Sequence, residues 1–225
     1  MHDRLRSQRM LHRTRRRPSA VGALVVAVLA LTGCGLGKRP HFDPTASATG
    51  AMTGDTAIDA VLTRLDRVSN AVFSADYSAL LAFGSKRSTV KTTQSAPARR
   101  STTIGNVRYI TDDKGDRTCK LDAGTCVSGT NPALISDTGL GQPDFFFGDV
   151  AKRLRRDALA LTKPAEPTTF KVGNYVATCA VVTVSGGSKT YCVFDNGVLA
   201  RFLGADLTVE LLVYRETVDE DLFTP

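Results

Sequence analysis

The spacing of apolar and polar positions changes several times along this chain, and each change marks an element. An apolar run extends from Ala20 to Leu31, behind a head carrying Arg4, Arg6, Arg9, Arg13, Arg15, Arg16 and Arg17. From Gly35 to about Asp55 there is no apolar period, and Gly, Pro, Ala, Ser and Thr dominate, as in a flexible tether. From Thr56 to Val72, Ile58, Val61, Leu62, Leu65, Val68 and Val72 recur mostly at three- and four-residue steps. That spacing predicts an amphipathic helix, with Asp55 as its cap and Asp59 at the positive end of its dipole.

The period then drops to two. Tyr77, Ala79, Leu81 and Phe83 alternate with Ser78, Leu80 and Ala82, a strand that Gly84-Ser85 should end. Ser88 to Ser95, Ala98 to Ile104 and Asn106 to Thr111 are polar, Thr-rich strands of the kind that keep one wet face. Asp112 to Asp116 is expected as a solvated hairpin tip, since it lacks the spaced ligands and closing Glu of a calcium loop. Gly129 to Pro143 has no pattern. Asp144 to Leu161 predicts a second helix, with Phe146, Val150, Leu154, Ala158 and Leu161 on one face and Lys152, Arg153, Arg155 and Arg156 elsewhere. Of Phe145, Phe146 and Phe147 at its start, two are expected to pack inward. After Lys163-Pro164 the strands return, at Thr169–Lys171, Tyr175–Val184, Lys189–Phe194, Val198–Leu203 and Leu207–Val218. Asp195-Asn196-Gly197 is a tight-turn signal among them.

Composition changes this picture mainly at the N-terminus. Leu31-Thr32-Gly33-Cys34, after an arginine head and an apolar run too short to span a bilayer, has the form of a lipoprotein processing site. Residues 1–33 are then a signal peptide and Cys34 the lipidated residue, carrying a palmitate-type chain. Residues 34–55 become the tether and 56–225 the domain, held at the outer face of the cytoplasmic membrane. The sequence pI of 9.3 belongs to the leader: of 29 basic and 22 acidic residues, 22 and 21 remain from Cys34 onward. A nearly neutral domain gives no argument for nucleic acid.

Four further cysteines in an exported chain point to two disulfides, and their spacing is too loose for an ordinary zinc site. Residues paired across a hairpin lie at equal distances from its turn. A Cys119–Cys126 pair centres on Asp122-Ala123, and a Cys179–Cys192 pair on Ser185-Gly186; both centres look like turns. Beyond Cys34 the one histidine is His41, in the tether. No Ser/His/Asp or Cys/His set can be assembled in the domain, so an enzyme, a cofactor and a metal are not expected.

The order helix, antiparallel strands, helical insert and returning strands resembles the lipoprotein-carrier (LolA-like) fold, and in context the actinobacterial lipid-anchored LppX/LprG-type lipoproteins. The likeness rests on the helix before Phe73-Ser74-Ala75, the strand Gln94-Ser95-Ala96-Pro97-Ala98-Arg99-Arg100, the turn Asp195-Asn196-Gly197-Val198-Leu199, and the closing Phe223-Thr224-Pro225. The resemblance implies an α+β domain: a curved antiparallel sheet, or half-barrel, whose concave face is covered by helices. It also implies a lipid, glycolipid or other hydrophobic ligand. The residues to line such a cavity are Ile58, Leu62, Leu65, Tyr77, Leu81, Val107, Tyr109, Phe146, Leu154, Val209 and Leu211. The two cysteine pairs depart from the carrier pattern and would narrow any cavity. The alternative is an interaction module for an envelope protein partner, with the interior filled by side chains.

Overall fold

The computed structural model describes residues 50–96, 99–138, 140 and 143–225. The leader 1–33, Cys34, His41 and the tether up to residue 49 lie outside the described residues.

Eleven strands make one antiparallel sheet in the order β6-β5-β4-β3-β2-β1-β11-β10-β9-β8-β7. The first group is β1 (Phe73–Leu81), β2 (Lys86–Ser95), β3 (Arg99–Ile104), β4 (Val107–Asp112), β5 (Gly115–Lys120) and β6 (Thr125–Ser128). The second is β7 (Glu166–Val172), β8 (Tyr175–Val184), β9 (Gly187–Val193), β10 (Leu199–Leu203) and β11 (Leu207–Arg215). Each group is a run of hairpins, and the two meet where β1 pairs with β11. The helices are α1 (Thr56–Leu65), α2 (Pro132–Thr138) and α3 (Asp149–Ala158). The sheet is open rather than closed into a barrel, and the architecture is the α+β half-barrel expected from the sequence.

Period-two burial in β1 sets the sheet's inner side. Phe73, Ala75, Tyr77 and Ala79 are fully buried, while Ser78 and Leu80 are only half-buried. Across the β1–β11 seam Ala75 faces Tyr214, Tyr77 faces Leu211 and Ala79 faces Val209. The register slips at Asp76/Tyr77, and the residue left over on β11 is the exposed Leu212. That is a bulge, which bends the seam. Pro167 lies in β7, an edge strand, where its missing N–H disrupts no inner ladder.

Helix α1 buries Ile58, Val61, Leu62 and Leu65 against β8, β9 and α3. Asp55 caps it, one carboxylate oxygen accepting from Ala57 N at 3.0 Å and Ile58 N at 3.1 Å. The other oxygen accepts from Ala165 N at 2.8 Å, tying the helix start to the entry of β7. Asp55→Ala should therefore lower stability by about 1–2 kcal/mol, seen as a lower urea midpoint at unchanged m-value.

Several elements differ from the sequence reading. The first helix stops at Leu65, and a 3-10 turn at Val68–Asn70 follows, leaving Val72 exposed. The buried Gln94 stabilises this turn by donating to the carbonyls of Val68 at 2.5 Å and Ala71 at 2.9 Å. Residues 50–55 are not free tether: Gly50 N donates to Asp66, and Thr53 N, Thr53 Oγ1 and Gly54 N donate to the Asp59 carboxylate. Phe83 stands outside β1 on an exposed turn. The patternless stretch contains α2. The second expected helix is divided, a 3-10 turn at Pro143–Phe146 and then α3, with the break at Gly148. All three phenylalanines at its start are buried.

Disulfides join Cys119 to Cys126 and Cys179 to Cys192, each pair directly opposite in its hairpin.

Candidate binding site

The residues named for a ligand cavity come together, but as packed core. Ile58, Leu62, Leu65, Tyr77, Val107, Tyr109, Phe146, Leu154, Val209 and Leu211 are buried in one continuous apolar cluster, and Leu81 packs at its margin. Aromatic rings occupy its centre. Phe146 lies against Tyr77 at 5.0 Å between centroids, Phe145 meets Phe202 edge-on at 5.7 Å, and Phe147 lies 6.2 Å from Phe73. Such contacts hold a core closed.

Burial sets the chemistry of the core tyrosines. It raises Tyr77 and Tyr191 far above the ordinary phenol value, and the Asp157 carboxylate beside Tyr191 adds to the effect. Burial also pushes Tyr109 up to about 12. A raised folded-state value means the stabilising contribution is complete below the unfolded value of 10.0 and is lost as pH climbs toward the folded one. Stability should thus fall progressively above pH 10. An absorbance titration should show these three phenols ionising only as the protein unfolds.

Polar side chains clamp α3 to the sheet. Asp157 accepts from Lys189 at 2.6 Å through one oxygen and from the buried Tyr191 hydroxyl through the other. One turn earlier, Arg153 donates twice to Asp206, at 2.7 and 2.9 Å, and lies over the Phe202 ring. Burial pushes the Asp206 carboxyl up, but the Arg153 hydrogen bond and charge, with its own backbone N–H and Lys189, bring it below the usual value.

Small recesses open beside Tyr109 and Val107, and two larger concavities lie elsewhere. The chain's last segment runs across the side of β2–β5 that turns away from the helices. Asp219 N donates to Thr93 Oγ1, Arg99 pairs with Glu220 at 2.7 Å, and Arg108 donates to the carbonyls of Asp221 and Thr224. Phe223 packs on Ile110 and Cys119, and Arg99 stacks on its ring at 3.9 Å. Alongside this segment lies an open groove of about 880 Å³. Arg99, Arg117, Lys114 and Asp113 give it charge, and Ala96, Phe223 and Pro225 give it apolar surface. The β4–β5 hairpin shapes one end: Asp112 accepts from Lys114 N at 2.9 Å and from Arg117 at 2.5 Å. Asp112 and Asp116, which accepts from Thr111 Oγ1 at 2.6 Å, are thus spent on their own hairpin. A second, mostly apolar recess of about 310 Å³ opens beside the start of α1, between Ala57, Ala60, Pro164, Pro167 and Cys179.

Sequence reasoning did not find the groove. Its one trace was the pair Leu222-Phe223 after an acidic run, two apolar side chains that need cover at the chain's end.

No protein-family profile matches the chain, and no curated protein matches it. Among solved structures it is similar to MucB, with a TM-score of 0.49 and 13% identity over 76% of this chain and 64% of that one. It is also similar to MucB in the MucA/MucB complex of Pseudomonas aeruginosa, with a TM-score of 0.49 and 13% identity over 75% of this chain and 60% of that one. A LolA superfamily protein from Nitrosomonas europaea matches with a TM-score of 0.21 and 9% identity over 73% of this chain and 97% of that one. The chain spans less than two thirds of the MucB chains, and at these identities the likeness is one of backbone architecture alone.

Proposed function

We propose that this chain is a lipid-anchored protein of the cell envelope, of the actinobacterial lipoprotein type, whose domain is a non-enzymatic binding module. The observation that carries this reading is the filled interior. Tyr77, Phe146, Leu62 and Val209 occupy the space an acyl chain would need, while the open concavity faces outward beside the C-terminal segment. A groove with both apolar and charged walls suits a polypeptide segment from an envelope partner. Two disulfides suit an oxidising compartment, which Cys34 processing would provide. The rival reading is a lipid carrier. The apolar recess beside α1 favours it, since each buried CH₂ would contribute about 0.8 kcal/mol.

One experiment separates them: native mass spectrometry of the mature protein from its own host, with a photo-crosslinker placed at Lys114. A crosslinked protein partner and a lipid-free domain mass are expected. A reproducible bound lipid that is lost in an Ala60→Asp variant, which puts a charge in the recess beside α1, would overturn the module in favour of the carrier.

A further inference from the structure

Among the described residues six buried side-chain polar atoms have no hydrogen-bond partner. Four of them, Ser101 Oγ, Thr102 Oγ1, Tyr109 OH and Arg117 Nε, belong to residues around one recess. It lies between β3–β5 and the segment that leads into α3. A buried hydroxyl without a partner is costly, and native proteins seldom gather several in one place unless something binds there.

The strand register decides which of these groups face the space. Thr102 is paired with Tyr109 and Arg100 with Thr111 across β3–β4, and Asp116 of β5 stands opposite Thr111. Paired residues share a side of the sheet, and Tyr109 belongs to the core on the side of the helices. Ser101 and Arg117 are paired with Ile110 and turn the other way. Thr102 and Tyr109 are therefore the two unpartnered hydroxyls on the inner side, and they are 1% and 6% exposed. The Thr138 hydroxyl works against the rise in the Tyr109 pKa, but it gives its hydrogen to the Ile135 carbonyl at 2.7 Å and forms no hydrogen bond with Tyr109.

The rest of the lining sets the kind of ligand. Arg100 pairs with Asp144 at 3.0 Å and lies over the Phe147 ring, and Arg117 pairs with Asp112. Both cations are thus neutralised, which leaves no positive charge to hold an anion. The remaining carboxylate, Asp116, is exposed and accepts from Thr111 at 2.6 Å. The space is about 50 Å³, room for about three or four water-sized groups. Phe147 and Pro143 give it an apolar wall. Hydroxyls that donate or accept, beside a guanidinium that only donates and a carboxylate that only accepts, suit a neutral ligand offering both functions on adjacent atoms. Two neighbouring carbons, each bearing an O–H, have that character, and their C–H faces fit an aromatic and a proline ring.

We propose that this recess binds the vicinal diol of a sugar or polyol. Thr102 and Tyr109 hydrogen-bond its hydroxyl groups, and the Arg100–Asp144 pair borders the entrance. Only the diol edge fits inside, so the remainder of a sugar ring stays in solvent. The site rests on neither the anchor nor the partner reading, and shares only Arg117 with the groove on the other side of the sheet.

Calorimetric titration of the purified mature protein with methyl α-mannoside, glycerol, ethanol and inorganic phosphate tests this. Saturable binding of the first two in the millimolar range is expected, and none of ethanol or phosphate. Tighter binding of methyl α-mannoside assigns a sugar, and tighter binding of glycerol an open-chain polyol. Tyr109→Phe and Thr102→Val each remove one hydroxyl at nearly constant shape, and each should weaken binding about tenfold. Because neither hydroxyl has a protein partner, the urea midpoints of both variants should stay level or rise. Lower midpoints in both variants without any diol binding would mean that ordered water fills the recess, and would overturn the proposal. So would ethanol or phosphate binding as well as the diols, or diol binding unchanged in both variants.

Discussion

Arg155→Met is expected to destabilise the domain by about 3 kcal/mol or more, a drop in melting temperature of roughly 10 °C for a domain of this size. Arg155 is 2% exposed, although it lies on a helix whose sequence reads as polar on that side. Its guanidinium meets Asp66 at 2.6 Å, at the end of α1, and donates to the Ala51 carbonyl at 3.2 Å. One side chain thus joins α3, the end of α1 and the incoming chain. A methionine keeps much of the volume but leaves the Asp66 carboxylate partly buried without its cation, which is the costly half of breaking such a pair. The double variant Arg155→Met/Asp66→Asn removes that uncompensated charge and should recover a large part of the loss. Thermal or urea melts of the two variants side by side check this. Equal loss in both would mean that packing of the arginine stem, not the ion pair, carries the effect.

Gly197→Ala is expected to cost as much, by a different mechanism. Gly197 has φ +89°, a left-handed conformation that costs any other residue energy. The turn it belongs to is also pressed onto the end of α1. A Cβ at this position would lie 2.3 Å from the Arg64 carbonyl oxygen and 2.8 Å from Val68 N, both backbone atoms with little freedom to yield. Arg64 completes the contact from the other side, pairing with Asp195 at 2.9 Å. Strain and overlap together place Gly197→Ala at about 3 kcal/mol or above, against about 1 kcal/mol for alanine at a turn glycine facing open space, such as Gly173. Urea denaturation of the two alanine variants provides the comparison.

The parts of this fold that could be read in advance are those where one local rule decides. Ile58, Val61, Leu62 and Leu65 repeat at helical spacing, and Ala75 to Leu80 alternate in burial, because each segment has one side toward the core. The cysteine hairpins were legible because a disulfide across a ladder constrains its own turn. Helix ends were less so: α1 stops where Asp66 is engaged by Gly50 and Arg155, partners 16 and 89 residues away. The division at Gly148 and the short α2 depend on packing under the sheet, which no local period records. The candidate site was the least legible. Apolar residues at core spacing look the same whether they face a ligand or one another, and the groove is made by a tail folding onto strands some 100 residues earlier.

The pairing of β1 with β11 also bears on how the chain folds. Every other neighbour in the sheet except this pair is a sequential strand, whereas Ala79 and Val209 meet across almost the whole domain. The two strand groups can form from short-range contacts, each with its own disulfide, before that seam exists. Closing it carries most of the loop entropy, so the seam is the expected slow step of folding. Truncating Ala79 or Val209 should then lower the refolding rate, whereas a truncation in the outer hairpins should chiefly raise the unfolding rate. On this kinetic scheme each half-sheet is a folding unit, and the centre of the mature sheet is the last part of it to form.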